Sequence, residues 1–287
     1  MAAMLTPPPR LTSLLFTPGS RPERFEKAVA SGADGIIIDW EDAVPAADKD
    51  HVRAEVIAWL TERGRVGAPP FLTALRINSL RNAHGLADLD ALNAAALPLD
   101  LVVLPKVESA AEVHQALRKL RGEVRLVCLV ETVLGVRHAA EIATAAPQVA
   151  ALAFGGFDLS AETGGEPTWD ALLWPRTQVV HACAAAGVLA LDQPCIALDD
   201  SAALTAECER VRALGFAGKL AVHPRQCAVI QAAFQPGAEQ VARARRIVAA
   251  VEQAQGNVAV VDGQMIDVPM FRSAQRVLQR AGGGGAS

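Results

Sequence analysis

Several features are missing from this chain, and each absence narrows what it does. Five cysteines are scattered along it with no CxxC pair. Neither a zinc ribbon nor a thioredoxin-like redox pair is therefore indicated. The odd count, and an opening "MAAMLTPPPR" without the basic and apolar regions of a secretory leader, lead us to expect a reducing, cytoplasmic setting. No apolar run approaches the roughly 18 residues of a membrane span. Positive charge is not in surplus: the net charge is −4 and the pI near 5.9. A general nucleic-acid surface is thus not expected, although a local basic pocket for a small polyanion is compatible with this balance.

What is present is apolar and periodic. Of 287 residues, 51% are hydrophobic and 20% charged, enough for a large packed core. Strand-like and helix-like stretches alternate eight times, from "LTSLLF" and "RPERFEKAVASG" to "GKLAV" and "PRQCAVIQAAF". The strands are apolar without clean alternation, as expected of strands buried on both faces, and the intervening helices force parallel crossovers. Eight such units close a TIM (β/α)8 barrel. The competing doubly wound sheet usually carries GxGxxG after its first strand, and the first turn here, "FTPGSRPERF", lacks it. The expected organisation of this α/β chain is a disordered start over residues 1–10 and a barrel over 11–236. A C-terminal helical extension or arm over 237–281 and a disordered glycine-rich tail over 282–287 follow.

In such a barrel the chemistry sits where strands end. The residues at those ends include Arg21, Asn78, Lys106, Glu108, Asp192 and His223. The stretch "GIIIDWEDAV" adds Asp39, Glu41 and Asp42, three acids that repel one another unless cations or water meet them. Glu131 in "CLVETVLG" and Asp158 in "AFGGFDLS" follow neighbouring strands five and six. Two carboxylates on adjacent loops suit Mg2+, and the ordinary alternative is a pair of helix-capping acids. Arg76 in "LRIN" suits a carboxylate, or else pairs with a rim acid. Arg21, Arg24 and Lys27 stand at helical spacing and suit a phosphate, the alternative being a solvated basic face, which Arg24 fits better. Lys106 reads as ion-paired rather than as a Schiff-base lysine. The cysteines read as core residues.

Eight segments, among them "LLFTPGSRPERFEKA", "IIIDWEDAVPAADK", "FGGFDLSAETG" and "DGQMIDVP", run in one order along nearly the whole chain. In that order they resemble the citrate lyase beta-subunit-like family of the class II aldolase/citrate lyase superfamily, with its malyl-CoA and citramalyl-CoA lyase relatives. The resemblance implies a TIM barrel assembled as a homotrimer or hexamer. It implies Mg2+ held by Glu131 and Asp158, and the carboxylate of a 2-oxo acid held by Arg76. Phe16, Arg21 and Lys27 match positions that contact coenzyme A, and Asp267 matches an acid delivered to a neighbouring subunit's site. Asp39, Glu41 and Asp42 are expected behind the ligands, orienting metal waters and pairing with basic residues. Trp40 departs from the leucine usual at its position, for which we expect only a packing adjustment.

The implied reaction splits a 3-hydroxyacyl-CoA thioester of the citryl-, citramalyl- or malyl-CoA type into a 2-oxo acid and acetyl-CoA. Asp267 protonates the enolate, and the hydroxyl base is left open between a metal-bound water and a rim acid. Two alternatives stand beside it. One is a pyruvate-dependent class II aldolase acting on free hydroxy-oxo acids, which leaves Arg21 and Lys27 unexplained. The other is a catalytically silent barrel that binds CoA or another metabolite as a subunit of a larger complex.

Overall fold

The computed structural model describes residues 11–66, 71–97, 99–122, 124–254 and 259–282. The expected disordered start lies outside them, as do all but the first residue of the expected disordered tail. The chain divides into two compact units, Met1–Gln231 and Ala232–Ser287.

The first unit is a closed barrel of eight parallel strands paired in chain order. These are β1 (Ser13–Pro18), β2 (Gly35–Asp39), β3 (Leu72–Arg76), β4 (Leu101–Leu104), β5 (Arg125–Val130), β6 (Val149–Phe154), β7 (Leu189–Asp192) and β8 (Gly218–Ala221). Between them run α1 (Phe25–Val29), α2 (Lys49–Val66), α3 (Ala83–Ala95), α4 (Ala110–Lys119), α5 (Val133–Arg137), α6 (Ala139–Ala143), α7 (Gly156–Thr163), α8 (Trp169–Ala186) and α9 (Ser201–Leu214). After β8 comes α10 (Pro224–Phe234). The first crossover is shorter in helix than its sequence suggests: Pro22–Arg24 form a 3-10 turn before α1. Proline at the start of the turn fixes φ there but supplies no N–H donor.

Strand alternation sorts the apolar residues. Leu14, Ile37, Ala74, Val103, Val127, Leu129, Ala151, Ala153, Leu191 and Leu220 fill the barrel interior. Their neighbours Ile36, Ile38, Leu75, Val102, Cys128 and Leu152 are equally buried, on the opposite face of the strands. Both faces being covered explains the near-continuous apolar runs. All five cysteines are free and buried. Side-chain caps then start several helices where strands end. Thr132 accepts the Gly135 N–H at 3.0 Å, beginning α5 directly after Glu131.

The second unit contains α11 (Ala238–Gln253), a hairpin of β9 (Ala259–Val261) and β10 (Gln264–Ile266), and α12 (Val268–Gly282). Asp262 and Gly263 form the two-residue turn, both with positive φ (53° and 76°), as such hairpins require. Ile247, Val261, Ile266 and Ala274 make its small core. No helix among the described residues is long and apolar enough to cross a membrane.

Candidate active site

At the C-terminal ends of the strands the inward positions turn from apolar to polar. Asp39 and Arg76 are direct partners in the β2–β3 register. Arg76 donates from Nε to Asp39 Oδ1 and from Nη2 to Oδ2, both at 2.7 Å. Its Nη1 lies 2.9 Å from Glu41 Oε2 and its Nη2 3.3 Å from Asp42. Burial opposes the charge on Arg76, but the Asp39, Glu41 and Asp42 carboxylates more than offset that and raise its pKa. The Phe16 ring covers the guanidinium at 4.9 Å. Lys106 has a left-handed φ of 52°. Its Nζ donates to Glu41 Oε1 at 2.6 Å and stands 3.7 Å from both Asp42 and Asp158. Burial works against its charge, yet Glu41 and its neighbours keep it above the ordinary lysine pKa, so it stays an ammonium. The acids of "DWED" are therefore balanced by Arg76 and Lys106. Trp40 between them is buried on the helix side, with the Arg53 guanidinium 6.0 Å from its ring.

Glu131 and Asp158 meet at the other side of the mouth. Glu131 is buried, and burial first, then Asp158 and Glu41, push its carboxyl up to about 8. Its Oε1 accepts the Lys106 backbone N–H at 2.9 Å. A Cβ at position 155 would lie 2.6 Å from Oε2, so Gly155 is what leaves room for the carboxylate. Asp158, in the first turn of α7, has a side chain 44% exposed. Among the described residues no group of three or more His, Cys, Asp or Glu side chains could hold a metal. Two mutually repelling carboxylates, with oxygen as the sole donor, fit a hard divalent cation that keeps water in its remaining positions.

Two cavities open beside these residues. The first, about 310 Å³, has Arg76, Glu131, Asp158 and Gln193 among its polar walls, and Phe154, Phe157 and Leu220 among its apolar ones. The second, about 550 Å³, is lined by Arg24, Lys27, His223 and Arg225 with no carboxylate. Phe16, Pro18 and Val222 belong to both linings, so the two lie side by side along a shared wall. Neither Arg24 nor Lys27 makes an ion pair among the described residues, whereas Arg225 reaches Asp199 at 3.3 Å.

The model of the HpcH/HpaI aldolase/citrate lyase family matches residues 12–224. The chain belongs to this family. It is 36% identical to a citrate lyase subunit beta-like protein of Deinococcus radiodurans, over 96% of this chain and 99% of that one. It is 31% identical to an L-malyl-CoA/beta-methylmalyl-CoA lyase of Cereibacter sphaeroides, over 98% of each. The crystal structure of CitE from Mycobacterium tuberculosis in complex with magnesium, acetoacetate and coenzyme A superimposes with a TM-score of 0.80. It is 35% identical and covers 94% of this chain and 98% of that one.

Within this family fold not every polar residue at a strand end reaches the mouth. Asn78 is buried against Asp88 and the Trp40 carbonyl, so its role is structural. Glu108 pairs with Arg81. Asp192 turns outward: it takes Arg176 Nε at 2.8 Å and Lys219 Nζ at 2.6 Å, all three side chains buried. Gln193, one residue on, is the inward one. Counting on by two from Leu189 and Leu191 gives Gln193, so the signal was the alternation of β7 and not the presence of charge. Arg24 lines the basic cavity, and Arg21 is exposed beside it at the start of the 3-10 turn. Asp267 is exposed, and its Oδ1 accepts the Met270 N–H at 2.8 Å as the cap of α12.

Proposed function

We propose that this chain is a Mg2+-dependent carbon–carbon lyase that splits a 3-hydroxyacyl-CoA thioester, of the citryl-, citramalyl- or malyl-CoA type, into acetyl-CoA and a 2-oxo acid. The observation that carries the reading is that the two cavities are neighbours. A basic, carboxylate-free chamber suits the phosphates of a CoA carrier. It lies beside a chamber lined by Arg76 and the Glu131–Asp158 pair. Glu131 and Asp158 are the residues that would hold Mg2+. When bound, that ion would supply positive charge to the substrate's hydroxyl oxygen as its proton is lost.

The remaining work falls to side chains of the protein. Arg76, its plane fixed by Asp39 and its charge offset by Glu41, presents its remaining N–H edge to the acid's carboxylate. Phe16, over that guanidinium, closes one wall and limits water. Lys106 ties Glu41 to the side of the mouth where Asp158 stands. As the hydroxyl proton passes to a rim acid or a water, the carbon–carbon bond breaks to give the 2-oxo acid and the enolate of the thioester. Asp267 of a neighbouring subunit returns a proton to that enolate carbon. This last role requires a homotrimer or hexamer. A class II aldolase acting on free acids would use the same carboxylates but have no use for the basic chamber.

The test is direct. The protein is incubated with Mg2+ and citryl-, citramalyl- and malyl-CoA in turn, and 2-oxo acid is detected as its hydrazone. Release from one of them is expected. No release from any, with turnover of free hydroxy-oxo acids instead, would assign the chain to the aldolase branch.

A further inference from the structure

Gln193 continues the inward alternation of β7, is 4% exposed, and lines the acid-binding cavity. Its Oε1 accepts the Gly156 N–H at 2.7 Å. That bond sets the orientation of the amide. A backbone N–H only donates, so the oxygen faces Gly156 and the NH2 faces elsewhere. Nε2 has no hydrogen-bond partner among the described residues. It is not among the buried unpaired side-chain atoms either, so it is open to the cavity.

The other polar walls of this cavity are engaged in a different way. Arg76 and Asp39 take up one another, Glu41 stands against a further nitrogen of Arg76, and Glu131 and Asp158 are the pair that would hold the cation. Gln193 is the neutral donor that nothing in the described protein takes up. In the closed barrel β7 stands four strands from β3, so Gln193 approaches from the wall opposite Arg76. It does not line the basic cavity, so it addresses the acid and not the carrier. A donor left unpaired when the cavity fills costs free energy, which makes it a means of selecting a ligand with an oxygen at that place.

We propose that Gln193 is a substrate-binding residue whose Nε2 donates to an oxygen of the 2-oxo acid portion, so that the acid is held from opposite walls by Arg76 and Gln193. The proposal rests on the lyase reading above and adds to it a residue that selects the acid. Through Oε1 the same side chain anchors Gly156, two residues before Asp158.

The experiment uses the full chain with Mg2+ and two variants, Gln193→Glu and Gln193→Met. The first keeps an acceptor for Gly156 and removes the donor; the second removes both. Calorimetry follows the binding of pyruvate, glyoxylate and oxaloacetate, and separately of CoA and of Mg2+. Loss of one hydrogen bond from a desolvated cavity predicts weakening of about tenfold or more for the acid that the wild type binds. CoA affinity is expected to stay unchanged in both variants, and Mg2+ affinity not to fall in Gln193→Glu, which keeps the acceptor for Gly156. Gln193→Met adds no charge to the cavity, so its loss of acid affinity beyond any loss of Mg2+ affinity reads the donor alone. Wild-type acid affinity in either variant would overturn the proposal. A fall in Mg2+ affinity that matches the fall for the acid would also overturn it, because the side chain would then act only by holding the turn that carries Asp158. Should one variant fail to fold, the other decides by these readouts. Wild-type protein that binds CoA but none of the acids would instead overturn the lyase reading, and this proposal with it.

Discussion

At Arg76 the two readings left open by the sequence are not exclusive. It is a structural partner of Asp39 and also a wall of the cavity that Glu131 and Asp158 line. Lysine keeps the charge but has a single nitrogen where Arg76 engages Asp39 through two and Glu41 through a third. Arg76→Lys should therefore lower kcat/KM by about tenfold or more while Mg2+ still binds. Steady-state kinetics with wild-type values would make the residue purely structural. Asp158 is one of the two carboxylates proposed to hold the ion, so Asp158→Ala should bring turnover close to background. Full activity of the wild type in excess chelator would remove the reason for that expectation.

Elements carry the next two effects. β7, β8, α8 and α9 are joined by the buried set Arg176, Asp192 and Lys219, with Glu207 at its edge 2.8 Å from Lys219 Nζ. Burial opposes the charge on Lys219, but Asp192 and Glu207 raise its pKa above the ordinary lysine value. Lys219→Met would leave Asp192 with Arg176 alone in a site closed to water. A loss of about 3–5 kcal/mol is expected, as is usual when one partner of a buried pair is removed, and urea unfolding would measure it. A stability equal to the wild type would show that Arg176 alone compensates the carboxylate. On α1 and the turn before it, Arg24 and Lys27 face the basic cavity. Replacing both with alanine should raise the KM for a CoA thioester by about tenfold or more, since each charge-assisted phosphate contact contributes about 1.5–3 kcal/mol. An unchanged KM would place the carrier elsewhere.

For the molecule as a whole, the proposed proton transfer by Asp267 needs a second chain. In its own chain it caps α12, in a compact unit separate from the barrel. Complementation addresses this. Asp267→Asn subunits and Asp158→Ala subunits, each expected to be inactive, are mixed under conditions that allow exchange. Sites that combine one intact barrel with one intact Asp267 should recover part of the activity. No recovery in oligomers shown by mass spectrometry to be mixed would confine each site to a single chain.

The sequence alone determined the barrel, because both causes of that fold are local. Doubly buried strands need long apolar runs, and parallel neighbours need helices between them, so the eight units could be counted without coordinates. It also brought Glu131, Asp158 and Arg76 to one mouth, since Arg76 ends β3, Glu131 follows β5 and Asp158 opens the helix after β6. Tertiary structure decided everything that depends on facing. Asp192 and Gln193 are adjacent, and one faces the helices while the other faces the cavity, because side chains alternate along a strand and the sequence left the phase of that alternation open. Arg24 likewise lines the basic cavity from a 3-10 turn that the spacing alone read as α-helix. Partner choice was equally non-local. Asp39 meets Arg76 across 37 residues, and Lys106 meets Glu41 across 65, through the closure of the barrel and not through any spacing a sequence displays.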